Sequence, residues 1–298
     1  MEKKIVAYDR RRQVLALLAE HGPLSVRGLR ILMEPKIQSR RIRDVLHRLH
    51  ARHILYKRRQ NELWGTVFYQ VDRHEVARRR AAKILGVERA DSLRQPGFKY
   101  FAPANSELLT LWKVRLLRLF PGAKIYRKFE IEQHPEIKSM LPPPKRTLKF
   151  YPDLLFLSPP DEEGRCISIA IELQDWCKHP ENYAYKLSRY VRRSRLDGVL
   201  ILSDLDQIAM WIETFQSSRR RFFPPGRHLH EFFWMFSDDL QPSVLEDVSI
   251  FTAKPQRTNL KDWIAILRAA QGIDGSTVQF LQMEHSPAEV ENVAQSGQ

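Results

Sequence analysis

Apolar positions recur at helical spacing along the first fifty residues and then switch to the alternation of strands. From Asp9, the run DRRRQVLALLAEHG puts Val14, Leu15, Leu17 and Leu18 on one face and stops at Gly22. In GPLSVRGLRILM, Ser25 can cap a short helix carrying Val26, Leu29 and Leu32, which Pro35 brings to an end. A third helix begins in KIQSRRIRDVLHRLHARHIL, with the stripe Ile42, Val45, Leu46 and Leu49. Ile54–Arg58 and Leu63–Val71 then alternate as strands around a polar turn, Arg59–Glu62. Arg73–Lys83 continues as a basic helix.

The stretch ADSLRQPGFKYFAPANS, with Pro96, Gly97, Pro103 and a cap at Asn105 or Ser106, predicts a linker. Helix Glu107–Leu119, strand Lys124–Ile131, a Pro-rich excursion around Leu141–Lys145 and strand Lys149–Leu157 follow. A turn at Pro159–Gly164 leads to strand Cys166–Leu173, helix Glu181–Arg193 and strand Gly198–Leu202. The order α-β-β-β-α-β predicts a mixed sheet flanked by helices. Its third strand, CISIAIEL, is nearly continuously apolar, as expected when both faces are covered. Beyond Asp206 the pattern predicts helix Gln207–Gln216, the basic run Ser218–Arg221 and an aromatic strand Glu231–Phe236. The fold class is therefore α+β in two domains, residues 1–95 and 96–286, with a flexible tail at 287–298.

A chain of 298 residues has room for two cores, and 43% apolar content excludes a disordered polycation. The net charge of +14 points to a polyanionic partner, and its distribution sharpens that reading. Residues 1–95 hold 23 Lys+Arg against 10 Asp+Glu, whereas the remainder holds 26 against 25. A basic excess serving only solubility would be spread evenly, so binding is expected in the first segment. Cys166 and Cys177 are too few for a zinc cluster and read as two buried thiols in a reducing compartment. No apolar run is long enough to span a bilayer, and MEKKIVAYDRRRQ lacks a signal-peptide apolar region. A cytoplasmic protein without membrane insertion is expected.

Three helices followed by a hairpin give the order of a winged helix-turn-helix. Gln38, Ser39, Arg40, Arg41, Arg43 and Arg48 lie largely outside the third helix's apolar stripe and can bond to base edges in a major groove. Lys57, Arg58, Arg59, Gln60 and Asn61 at the hairpin tip can reach phosphates. Arg78–Arg80 can ride on the same backbone. The same face also suits solvent or a protein partner. In the second segment, the run SSRRRFFPPGRH suits either phosphate binding with stacking on an unpaired base or a surface loop.

Two carboxylates interrupt the apolar strands of the second segment. Asp153 follows Pro152 in FYPDLLFL, and Glu172 closes ISIAIELQ with Gln174 two residues on. Alternation along a strand puts Glu172 and Gln174 on one side, and pairing of the two strands would bring Asp153 and Glu172 together. Paired carboxylates offer hard oxygen ligands to Mg²⁺ or Mn²⁺, leaving positions open for water and phosphate. The alternative is two solvated strand termini.

Pro152-Asp153 and Glu172-Leu173-Gln174, set in this element order, resemble the PD-(D/E)xK nuclease signature over roughly Asn105 to Leu205. The resemblance implies a restriction-endonuclease-like domain in which Asp153 and Glu172 bind metal and Gln174 orients water. It implies an additional acid on the first helix, Glu107, or on the next strand, Glu130 or Glu132. Gln174 stands where Lys is usual; some active nucleases of this fold carry Gln there, and Lys178 is an alternative from the following loop.

A winged helix ahead of such a domain, with IELQDWCKHPENYAYKLSRYVRRSRLDGVLILSD after the second motif, resembles the plasmid mobilisation and replication-relaxation proteins, including relaxases of the C mobilisation class. This likeness implies a sequence-specific, metal-dependent nicking endonuclease. Its target would be double-stranded DNA at a transfer or replication origin, locally melted, with other mobilisation proteins as partners. Tyr151 and Tyr183 are nucleophiles in principle, although the fold implies hydrolysis by metal-activated water and a packing role for both. Two other readings stay open: a non-catalytic replication initiator or transcriptional regulator on a degenerate nuclease fold, and a restriction-like or transposition nuclease.

Overall fold

The computed structural model describes residues 2–33, 37–59, 66–88, 90–93, 103–143, 151–173, 186, 189–190, 195–203, 230–235, 249–252 and 257–271. The chain opens with helices α1 (Glu2–His21), α2 (Val26–Leu32) and α3 (Ser39–Ala51). Ser25 adopts extended backbone, φ −82° and ψ 172°, and its hydroxyl accepts from the Gly28 N–H at 3.0 Å, the expected cap for α2. The α3 stripe buries Ile42, Leu46 and Leu49 and half-buries Val45. Strands β1 (Leu24–Ser25), β2 (Leu55–Arg59) and β3 (Val67–Val71) form an antiparallel sheet in the order β1-β3-β2. Helix α4 (Glu75–Leu85) ends at Gly86, whose φ of 72° is the left-handed stop that glycine takes without strain. Leu15, Leu18, Leu24, Leu29, Leu46, Leu49 and Leu55 meet in one core, each such burial stabilising by about 1.5–3 kcal/mol.

Several boundaries differ from the sequence expectation. Helix α1 starts at Glu2 rather than near Asp9, and β2 is displaced by one residue, to Leu55–Arg59. The second strand of the hairpin begins at Val67 rather than Leu63. Gln60, Asn61 and the rest of the turn to residue 65 lie outside the described residues. Helix α5 (Pro103–Leu119) begins at Pro103, inside the stretch expected as a linker, of which residues 94–102 lie outside the described residues. Proline is tolerated in a first turn, where its missing N–H has no intrahelical partner. Asn105 and Ser106 therefore sit within the helix rather than capping it.

The rest of the chain builds a seven-stranded mixed sheet. Its strands are β4 (Lys124–Arg127), β5 (Leu154–Leu157), β6 (Ser168–Leu173), β7 (Gly198–Ser203), β8 (His230–Met235), β9 (Ser249–Thr252) and β10 (Arg257–Asn259), in the order β10-β9-β8-β7-β6-β5-β4. β4, β5 and β6 pair antiparallel, β6, β7 and β8 parallel, and β8, β9 and β10 antiparallel. Short helices α6 (Lys128–Ile131) and α7 (Pro135–Ser139) follow β4, and α8 (Leu260–Gln271) follows β10. The expected strand Lys124–Ile131 thus breaks at Arg127. The Glu130 carboxylate accepts from the Arg127 N–H at 2.6 Å and starts a helical turn there. Of the expected strand Lys149–Leu157, residues 149–150 lie outside the described residues and β5 begins at Leu154, after Pro152, which has no N–H for a ladder. Cys166 is exposed rather than buried, because β6 begins two residues later and the thiol stays in the approach to the strand.

The sheet has two distinct faces. Leu154, Phe156, Ile169, Ile171, Leu200 and Leu202 pack with Trp112 and Leu116 of α5 and with Trp263 and Leu267 of α8. Side chains alternate along strands, so Ala170 and Glu172 project from the opposite face. Helix α5 serves both parts of the chain: Trp112 joins this core, while Leu111 joins the core built by α1–α3. Among the described residues, no helix is long and apolar enough to cross a membrane.

Candidate functional site

The β5–β6 register places Leu154 opposite Ile171, and one further step sets Asp153 opposite Glu172. Directly opposed residues of an antiparallel pair share a face, so the two carboxylates meet on the side of the sheet away from α5 and α8. Asp153 is half-buried, and its Oδ2 accepts from the Leu173 N–H at 2.9 Å, a donor that Pro152 opposite leaves to a side chain. Its other oxygen has no partner among the described residues. Glu172 is 1% exposed.

A carboxylate so deeply buried requires donors, and it has two. Lys186 Nζ donates to Oε2 at 2.6 Å, and the Tyr190 hydroxyl donates to Oε1 at 2.6 Å. Both residues are helical and lie four apart in sequence, the spacing of neighbours on a helix face. Tyr190 is fully buried, whereas the Lys186 side chain keeps 27% of its surface exposed. Burial pushes the Glu172 carboxyl above its ordinary range; the Lys186 ammonium opposes that shift, the Asp153 charge adds to it, and the Tyr190 bond opposes it.

The nuclease-like motif does not point to Lys186 or Tyr190. It directs attention to the strand and its following loop, where Gln174 and Lys178 both lie outside the described residues. The signal for the missed pair is the spacing of positions 186 and 190 within the predicted helix Glu181–Arg193. Tyr151 is buried, and Tyr183 lies outside the described residues, as does the basic run Ser218–Arg221. Glu107 is not gathered with Asp153 and Glu172. Its carboxylate accepts from the Ser25 backbone N–H and, at 2.9 Å, from the Ser25 hydroxyl. Burial pushes its pKa up, and the two Ser25 bonds oppose that shift. Glu130 is likewise engaged, by Lys113 Nζ at 3.1 Å from each oxygen.

The Asp153–Glu172 pair offers hard oxygen atoms of the kind a divalent cation takes, while both oxygens of Glu172 already accept bonds, from Lys186 and Tyr190. Two carboxylates share one sheet face, and one oxygen of Asp153 has no protein donor among the described residues. Among the described residues there is no group of three or more His, Cys, Asp or Glu suited to a metal ion. A cation here would be held by this pair, with the remaining positions filled by backbone, water or phosphate oxygens.

On the first part of the chain, Gln38, Arg40, Arg41, Arg43 and Arg48 are exposed along α3, and Ser39 is half-buried. Lys57, Arg58 and Arg59 are exposed on β2, an edge strand of its sheet. These cations lie on the same part of the chain that holds the charge excess. No family model, curated protein or solved structure matches the chain.

Proposed function

We propose that this chain is a metal-dependent, sequence-specific DNA nicking endonuclease of the relaxase kind, acting at an origin of mobile DNA. In this reading the first part is a winged helix-turn-helix, with α3 reading the major groove and Lys57, Arg58 and Arg59 on the wing strand meeting phosphates. The seven-stranded sheet is a PD-(D/E)xK-like nuclease core, whose β4-β5-β6 meander and parallel β7 follow the α-β-β-β-α-β order. The observation that carries the proposal is the opposition of Asp153 and Glu172 across β5 and β6, with Lys186 bonded to Glu172.

Mg²⁺ or Mn²⁺ held by Asp153 and Glu172 would supply Lewis-acid stabilisation of phosphate charge and an acidic water. The chain's own residues do the rest. Tyr190 fixes the orientation of Glu172, and Lys186 supplies positive charge at the edge of the site, where a phosphate can approach. Lys186 thereby answers the absence of Lys at position 174. The setting is cytoplasmic, with double-stranded DNA, locally melted, and other mobilisation proteins as partners.

The test is nicking of supercoiled plasmid carrying the protein's own replicon. Mg²⁺- or Mn²⁺-dependent nicking that disappears in Asp153→Ala supports the proposal. Cleavage that persists in both Asp153→Ala and Glu172→Ala places the chemistry elsewhere. One observation favours a second reading: Lys186 and Tyr190 already satisfy both oxygens of Glu172, as in a nuclease fold kept for binding as an initiator or regulator. Tight, salt-sensitive binding without nicking under either metal selects that reading.

A further inference from the structure

The turn between α1 and α2 is held from outside by two charged side chains of the later part of the chain. Arg127, at the end of β4, donates from Nη1 to the His21 carbonyl at 2.9 Å and from Nη2 to the Thr110 hydroxyl. His21 is the last residue of α1, so a cation lies against that helix's C-terminal carbonyl. Glu107 of α5 accepts from the N–H and hydroxyl of Ser25, the cap of α2, so an anion lies at that helix's start. A Cβ on Gly28 would collide with the Glu107 carboxylate, so glycine leaves the seat into which the acid fits.

Both charges are costly to bury unless bonded, and Arg127 is only 9% exposed. Adhesion alone needs neither, since Leu111 of α5 already packs in the first core. What a pair of directional, charge-complementary caps adds to an apolar contact is a single orientation. We infer that Glu107 and Arg127 are positioning residues that lock the α1–α2 turn, and α3 with it, at one orientation to the Asp153–Glu172 pair. Resting on the proposed function, the consequence is that the strand is cut at a constant offset from the sequence read.

The lock is tested on the full chain by the distance between spin labels at Cys166, exposed before β6, and at Val76→Cys on the exposed side of α4, in a Cys177→Ser background. One narrow distribution is expected, broadened or displaced by Gly28→Ala, by Glu107→Ala and by Arg127→Met. Gly28→Ala introduces a better helix former, so it keeps the test decisive should a charge deletion fail to fold. Unchanged distributions in Gly28→Ala and in each folded charge variant overturn the lock. Mapping nicks to the nucleotide gives the second readout: one position for the parent chain, and scatter onto neighbouring nucleotides for Gly28→Ala. Scatter supports the fixed offset, and an unmoved single nick in a variant whose label distances have broadened overturns it. A parent chain that never nicks defeats the proposed function and with it the offset, while the label distances still decide the lock.

Discussion

Lys186 Nζ lies 2.6 Å from Oε2 of Glu172, an ion pair whose acid is wholly inside the protein and whose base reaches the surface. Removing the base leaves an uncompensated buried charge, which is more damaging than removing the pair. Lys186→Met is expected to cost about 3–5 kcal/mol of stability, with the double variant Lys186→Met/Glu172→Gln recovering much of the loss. Urea unfolding of the two variants measures it, and additive losses would sink the argument. The deficit has a pH sign as well. A carboxyl raised above its unfolded value favours the fold at low pH and loses that contribution as pH rises through its folded value. The Lys186→Met deficit should therefore widen from about pH 4 upwards.

Much of this arrangement is legible in residue spacing. The stripe Ile42, Leu46 and Leu49 has helical period, so α3 and its polar face follow from sequence. Asp153 precedes one apolar strand and Glu172 lies near the end of the next, so their convergence follows from antiparallel pairing of the two. The failures involve interactions that cross between elements. Glu107 stands where the nuclease resemblance implies a further acid, but it binds Ser25, 82 positions away in sequence. Lys186 reaches Glu172 from a helix, and no strand periodicity points to it. Glu130 ends β4 by bonding the Arg127 N–H, a local competitor that an apolar pattern does not reveal. Strands β9 and β10 escape a reading by pattern because Ser249–Thr252 and Arg257–Asn259 are too short to show a period.

If α3 and β2 meet DNA as proposed, the exposed cations should appear in the salt dependence of binding. Each phosphate left without its cation makes the slope of log Kobs against log salt shallower by about 0.9. Arg40→Ala, Arg41→Ala and Arg43→Ala are expected to divide into two kinds. Those that meet phosphate reduce the slope and weaken all sequences alike, whereas those that meet bases leave the slope and cost about 1–3 kcal/mol of discrimination. Titrations on cognate and scrambled duplexes at several salt concentrations separate them. Parent-like slopes and discrimination in all three would remove α3 from the interface.

His21 closes α1 beneath Arg127, and its ring is buried. Burial lowers its pKa; Glu20 opposes the shift, Arg127 and Lys113 reinforce it, and Glu130 opposes it. A histidine with a lowered folded value stabilises the fold above its unfolded value of about 6.5 and loses that contribution as pH falls through the folded value. Thermal melts between about pH 7 and pH 5 should show falling stability, with a shallower slope in His21→Gln. Identical slopes in the two proteins would show that His21 titrates alike in both states.

Gly198 opens β7 beneath the indole of Trp263 on α8. A Cβ there would stand 2.6 Å from Cζ2 and 2.9 Å from Cη2 of a ring that is completely buried. The ring cannot turn aside as a flexible chain end could, so Gly198→Ala must shift α8 or the strand. Overpacking of this kind costs about 1–3 kcal/mol. Trp263→Phe alone should also destabilise, by vacating volume in the core. In the double variant the smaller ring makes room for the new methyl, so its loss should be less than the sum of the single losses. Denaturant unfolding of all four proteins measures that coupling. A Gly198→Ala protein as stable as the parent would mean that α8 does not press on the sheet at this point.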